Sequence, residues 1–258
     1  MICVVPAAGR GVRLRPLSDP TPKPLVMINN NPLIFYVFNK IKELEVDHVI
    51  MIINHYRDKI IRFLGKNYLG VDIDFVVQEK LDGIANAVKL AEPYVGKEFF
   101  VMLGDEVYDT NHRGFSEFVK KEDLDCSFCM MKTEDESLLR NNYSVEMKDG
   151  KLIRLVEKPK VIMNPYFGVG TYFFKRKVFD FIDNTPFSPL NNERNLTDVM
   201  QVMIDNNQRV FPFFLDGRYV NVNSIKDLEK AKLIVNQSGN HGFGSRTRIT
   251  PRFISRVA

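Results

Sequence analysis

The 258-residue sequence contains no uninterrupted apolar run near the ~18 residues that a membrane-spanning helix needs, so no membrane partner is expected. Its first residues, MICVV, lack a basic lead-in and are too short for a secretory leader, and they read as a strand. Cysteine is scarce. Cys3, Cys126 and Cys129 suit a reducing cytoplasm and exclude a disulfide framework. Cys126 and Cys129 have CxxC spacing, but a zinc site takes about four ligands, and the remaining thiol and the four histidines are scattered. DCSFCMMK reads as a strand, where positions i and i+3 face opposite ways, so two buried structural thiols are expected. Charge is also missing where it would matter for nucleic acid. Four arginines in the acid-free stretch 237–258 account for the whole net charge of +4 and leave residues 1–236 neutral. A body without charge excess argues against a nucleic-acid partner. Residues 237–258 read as a mobile basic extension.

Against these absences stands a dense loop. PAAGRGVRLRPLSDPTPKPL (6–25) carries two glycines, three arginines, one lysine and five prolines directly after the strand-like ICVV. Gly9 and Gly11 let the backbone approach a ligand and turn its N–H groups inward. Arg13 and Lys23 bring fixed positive charge, and the prolines lower the entropy lost on binding. The combination describes a polyphosphate cradle. It is not a Walker loop, because GxxxxGK[ST] is absent, and it lacks the third glycine of a dinucleotide fingerprint.

Strand-like runs at 2–5, 48–53, 72–78, 98–103, 126–132, 166–174, 209–215 and 218–223 alternate with amphipathic stripes at 34–44, 56–66, 84–95, 196–206 and 225–236. Asn31-Pro32 reads as the cap and first turn of the first helix, and Ser224 as the N-cap of the last. Lys148-Asp-Gly-Lys151 reads as a hairpin turn. The expected fold is α/β: a Rossmann-like, mostly parallel central sheet with helices on both faces. An antiparallel substrate lobe is expected around 140–175, within one domain spanning 1–236. Ligands of such sheets lie beyond the carboxyl ends of the strands. Gln78, Gly104-Asp105, Glu157-Lys158-Pro159 and Asn221 all fall at or near such ends.

In order, AAGRGVRLRPLSDPTPKPL, Gln78 with Gly83-Ile-Ala-Asn-Ala87, Gly104-Asp105, Glu157-Lys158-Pro159, Leu196-Thr-Asp198 and Tyr219-Val-Asn-Val-Asn-Ser224 resemble the sugar-phosphate nucleotidyltransferases. The resemblance spans residues 1–236 and implies attack by a sugar 1-phosphate oxygen on the α-phosphate of a nucleoside triphosphate. It implies that Arg13 and Lys23 are the catalytic cations, with Arg13 on the triphosphate and Lys23 between the two phosphates. Ala7, Ala8, Gly9, Gly11, Gln78, Gly83 and Asp105 would contact the nucleotide, and Ser144, Glu157, Lys158 and Gly170 the acceptor. Asp105 and Asn221 would hold Mg2+.

Four residues depart from the family pattern. Asn221 replaces a metal carboxylate, Val12 and Ile84 replace threonines, and Ser144 replaces a glycine. They keep open a catalytically weak or regulatory homologue that binds a nucleotide and a sugar phosphate. A glycosyltransferase is disfavoured, because Asp105 and Asp109 are four apart, whereas its metal motif is Asp-x-Asp. Gln-to-glycine spacing resembles pyrimidine users. Hexapeptide repeats are absent, and a homo-oligomer stays open.

Overall fold

The computed structural model describes residues 1–239. The chain opens with β1 (Ile2–Pro6), a small hairpin of β2 (Met27–Ile28) and β3 (Asn31–Pro32), and α1 (Leu33–Glu43). Next come β4 (His48–Ile53), α2 (Arg57–Leu64), β5 (Asn67–Tyr68), β6 (Val71–Val77), α3 (Ile84–Lys89), β7 (Glu98–Met102) and β8 (Glu106–Asp109). The middle holds α4 (Arg113–Lys121), β9 (Cys126–Lys132), α5 (Glu136–Asn141), β10 (Tyr143–Lys148), β11 (Lys151–Glu157) and β12 (Tyr166–Lys175). The chain then runs through α6 (Val178–Asn184), α7 (Leu196–Asp205), β13 (Val210–Phe214), β14 (Arg218–Asn221) and α8 (Ile225–Gly239).

One sheet has the order β11-β10-β12-β7-β1-β4-β6-β5, with β9 beside β12 and β13 beside β9. β7, β1, β4 and β6 are parallel, so their carboxyl ends share one edge. β12 runs antiparallel to β7 and overshoots it: Thr171 faces Met102, and Tyr166–Gly168 lie beyond. There Gly168 pairs with Tyr143, which pairs with Glu157. The expected antiparallel lobe is therefore an extension of the same sheet, and it delivers the ends of β10 and β11 to the edge where β1 and β7 finish. Asp149 and Gly150 both take positive φ, 51° and 75°, as the expected β10–β11 turn requires.

Alternation along each strand builds two cores. Cys3, Val5 and Cys129 pack with α1, α2 and α4, while Val4 and Cys126 pack with α3, α6 and α7. The two CxxC thiols thus lie buried on opposite faces of the sheet, unpaired with one another. β8 and β14 form a separate two-stranded ribbon. Its Val107 and Val220 join Leu14, Leu33, Leu228 and Ala231 in a third apolar cluster against α8.

Several local expectations need correction. Pro32, not Asn31, stands at the N-cap of α1, with no side-chain cap; Asn31 and Pro32 pair with Ile28 and Met27, and the first helical N–H, that of Leu33, donates to Val26 O at 2.9 Å. The 84–95 stripe is helical only to Lys89 and continues as turns, and Pro93 restrains Glu92 from the helical region. Ser224 is a cap: its hydroxyl accepts from Asp227 N at 3.2 Å and donates to Asp227 Oδ2 at 2.8 Å. α8 runs on through Gly239, past residue 236, and residues 240–258 of the basic extension lie outside the described residues.

Candidate active site

After β1 the chain makes a tight passage. Gly11 has φ 62°, and a Cβ there would stand 3.1 Å from Lys23 Cβ, so the left-handed turn and the neighbouring side chain both call for glycine. Ser18 Oγ donates to Gly11 O at 2.7 Å and closes the loop. Residues Val12–Leu14 form a 3-10 turn whose Leu14 is buried in the third cluster. Leu14 therefore anchors the loop while Arg13, one residue earlier, is exposed with no ion-pair partner among the described residues. A second 3-10 turn, Lys23–Leu25, turns Lys23 inward, leaving it only 8% exposed.

Lys23 Nζ donates to Asp105 Oδ2 at 2.6 Å and to Asn223 Oδ1 at 2.9 Å, contacts spanning 82 and 200 residues of sequence. Asn223 Nδ2 in turn donates to Asn221 Oδ1 at 2.7 Å. The carboxylate and two amides thus converge with one ammonium on a single rim. Gly104 allows this: its added Cβ would lie 3.1 Å from Ala7 Cβ, and its N–H reaches Pro6 O at 3.3 Å. Ala8 is buried beneath the loop, Ala7 half-buried, and Gly9 exposed with open space around its Cα.

Gln78 and Gly83 form a neighbouring group. Gln78 is buried, and its Nε2 lies 3.4 Å from Gly83 O. Gly83 has φ 121°, and an added Cβ would meet Arg194 O at 2.3 Å. The chain before α7 therefore packs directly on this glycine, a contact nothing in the sequence announced.

At the end of β11, Glu157 Oε2 accepts from Thr197 Oγ1 at 2.7 Å, and burial raises its pKa. Lys158 is exposed, with φ 44° and its N–H on Asn142 O at 2.9 Å. The Ser144 side chain is not on Glu157's face. Ser144 pairs with Val156 and Phe167, whereas Glu157 pairs with Tyr143, and paired residues share a face. Ser144 is 2% exposed, and its Oγ has no hydrogen-bond partner. Gly170 is occupied from within: its N–H donates to Glu106 Oε2 at 2.8 Å, and a Cβ would come within 2.4 Å of that oxygen.

Glu106 and Asn223 are the residues the sequence reading missed. Glu106 is 1% exposed, and its pKa is raised to about 7, first by burial and then by the charge of Asp105. Among the described residues it has no ion-pair partner; Tyr108 and Tyr219 hydroxyls and the Gly170 N–H supply its hydrogen bonds. Asn223 carried one faint signal, the spacing of two from Asn221.

The model of the nucleotidyl transferase family matches residues 2–238. The chain belongs to that family. Among relatives of this nucleotidyl transferase, the bifunctional protein GlmU of Methanocaldococcus jannaschii is 30% identical over 90% of this chain. This chain spans only 53% of that relative's length. The UTP–glucose-1-phosphate uridylyltransferase AglF of Haloferax volcanii is 24% identical, with 90% of this chain and 95% of that protein covered. A Bacillus anthracis structure described as a glucose-1-phosphate thymidylyltransferase superposes with TM-score 0.83 at 23% identity, covering 95% of this chain and 98% of the other. The structural likeness fixes the fold of the nucleotidyl transferase: a mostly parallel sheet flanked by helices.

Proposed function

We propose that the enzyme transfers a nucleoside monophosphate from a nucleoside triphosphate to a sugar 1-phosphate and releases pyrophosphate. An acceptor phosphate oxygen forms the new bond to the α-phosphorus, and the bond from that phosphorus to the bridging oxygen breaks, its electrons leaving on pyrophosphate. Positioning and charge neutralisation carry such a reaction. The observation that supports it is the meeting of Lys23, Asp105 and Asn223 beside a glycine-turned loop. Lys23 neutralises charge between donor and acceptor phosphates, and Arg13, free at the loop surface, draws the β- and γ-phosphates. Gln78 and Gly83 read the base, for which a pyrimidine is favoured. Glu157 accepts hydrogen bonds from sugar hydroxyls, and Lys158 grips the sugar phosphate. Ser144 contributes through its backbone, since its hydroxyl lies on the other face.

A divalent cation fits the same rim. An ammonium already sits 2.6 Å and 2.9 Å from two oxygens there, so the donors converge on a point suited to positive charge. Mg2+ takes one or two carboxylates with phosphate oxygens; Asp105 would supply the one carboxylate, and Asn221, whose Oδ1 accepts from Asn223 Nδ2 at 2.7 Å, a neutral amide oxygen. When bound, Mg2+ would neutralise charge on the phosphate oxygens. Three buried thiols fit a cytoplasmic enzyme.

The deciding experiment crosses triphosphates with sugar 1-phosphates and follows pyrophosphate release with and without Mg2+. No release from any pair would defeat the reading. A second reading, a weak or regulatory homologue, is favoured by the uncharged Asn221. Asn221→Asp keeps an oxygen for Asn223 Nδ2 and adds charge, so the Mg2+ concentration for half-maximal rate is expected to fall. A rise would show that position 221 turns away from the ion. Arg13→Ala is expected to raise the triphosphate KM about tenfold, the scale of one charged hydrogen bond, with the acceptor KM nearly constant. Equal increases would remove Arg13 from that role.

A further inference from the structure

The ribbon of β8 and β14 carries both Asp105, at its entrance, and Asn221, at its end, yet among the described residues no strand pairing ties it to the main sheet. A lone two-stranded ribbon is marginal in water. Its outer face is held by apolar packing on α8, which resists sliding poorly because it is non-directional. Its inner face makes the directional contacts. Glu106, the residue after Asp105, accepts the Gly170 N–H of β12 at 2.8 Å. Tyr219, two residues before Asn221, places its hydroxyl 2.7 Å from Glu106 Oε1 and 3.1 Å from Asn142 Oδ1. Asn142 O accepts the Lys158 N–H at 2.9 Å, and Lys158 holds φ 44° there. The links therefore run without a break from Asp105 through Glu106, Tyr219 and Asn142 to Lys158.

We propose that Glu106 and Tyr219 are positioning residues that lock the ribbon bearing Asp105 and Asn221 to the turn bearing Lys158. The inference rests on the functional reading above, which puts the metal and donor phosphates on the first side and the acceptor phosphate on the second. Neither residue touches a reactant. Their effect is to fix the separation of the two phosphate-holding arms, which in-line transfer demands. Packing alone would not explain why the hydroxyl of Tyr219 reaches both acceptors. Its ring already packs in tilted contact with Phe167 at 5.7 Å and Tyr108 at 5.3 Å.

Tyr219→Phe separates the two roles, because it keeps the ring and removes the hydroxyl. The half-saturating Mg2+ concentration and the KM for sugar 1-phosphate are both expected to rise about three- to tenfold, the scale of a lost hydrogen bond. The triphosphate KM stays within about twofold, since Arg13, which draws the β- and γ-phosphates, stands outside the hydrogen bonds that run from Glu106 to Lys158. Amide exchange at Lys158 accelerates in the free enzyme. Glu106→Gln, which keeps an oxygen for the Gly170 N–H, retains more of both constants than Glu106→Leu. Unmoved constants with only a lowered melting temperature, or an equal rise in all three constants, would overturn the proposal. Unchanged exchange at Lys158 would do the same. If the wild-type protein releases no pyrophosphate with any pair, the functional reading fails, and the exchange measurement still decides the link on its own.

Discussion

Asp105→Ala is expected to slow pyrophosphate release by a barrier increase of about 2–4 kcal/mol, the scale of deleting a group that stabilises developing charge. That corresponds to roughly a 30- to 1,000-fold loss at about 1.36 kcal/mol per tenfold. The geometry predicts why the loss is so large. Asp105 is the one carboxylate among the groups that meet Lys23 Nζ, since the other partner, Asn223, offers an uncharged oxygen. On the proposed reading its removal takes away the anionic ligand for a metal, and it leaves a largely buried ammonium with an amide alone. Such an uncompensated cation is also costly to the fold. Melting curves should accompany the assay, and Asp105→Asn, which keeps an oxygen for Lys23, separates charge from shape. Turnover close to wild type in either variant, with an intact melt, would take Asp105 out of the metal site.

Long-range convergence was legible because the sequence marks strand ends. Asp105 after Gly104, Lys23 after Pro22 and Asn221 late in RYVNVN were all expected on one rim, and Lys23–Asp105–Asn223–Asn221 contacts join them. Parallel β1, β4 and β6 were legible from alternation, since each of those short apolar runs is followed by a helical stripe, whereas no stripe was read after β7. What stayed hidden was direction within short elements. Glu106 stands in EVYD, and nothing in four residues says whether its carboxylate turns to water or to Gly170 N–H. Ser144 shows the reverse: its place at the rim was readable, but strand register decides its face, and register is a property of partners. Helices α4, α5 and α6 went unread for want of length: α4 has an apolar stripe of Phe115, Phe118 and Val119 but only nine residues, and α5 and α6 have six and seven, where an apolar run reads equally as strand. For α5 a local sign existed, Asp135, whose Oδ1 accepts the Ser137 N–H at 2.8 Å.

Lys23→Met should separate two quantities that Asp105→Ala lowers together. The methionine fills much of the lysine stem's volume but carries no charge. Pyrophosphate release is expected to fall about 100- to 1,000-fold, because no other described side chain brings positive charge to the junction of Asp105 and Asn223. Metal binding to the substrate-free enzyme is expected to move the other way. In the wild type, Mg2+ must displace an ammonium held 2.6 Å from Asp105 Oδ2, at a carboxylate only 27% exposed. With that competitor gone, a calorimetric Mg2+ titration should give a Kd tighter by about three- to tenfold, the discount expected for a partly solvated pair. Added Mg2+ should nevertheless fail to restore turnover, since on the proposed reading the ion would not replace the lysine's charge between donor and acceptor phosphates. A Kd that does not change would mean that the Lys23–Asp105 contact does not compete with the ion. Turnover within about threefold of wild type, roughly 0.65 kcal/mol, would deny Lys23 any part in stabilising the transferring phosphate.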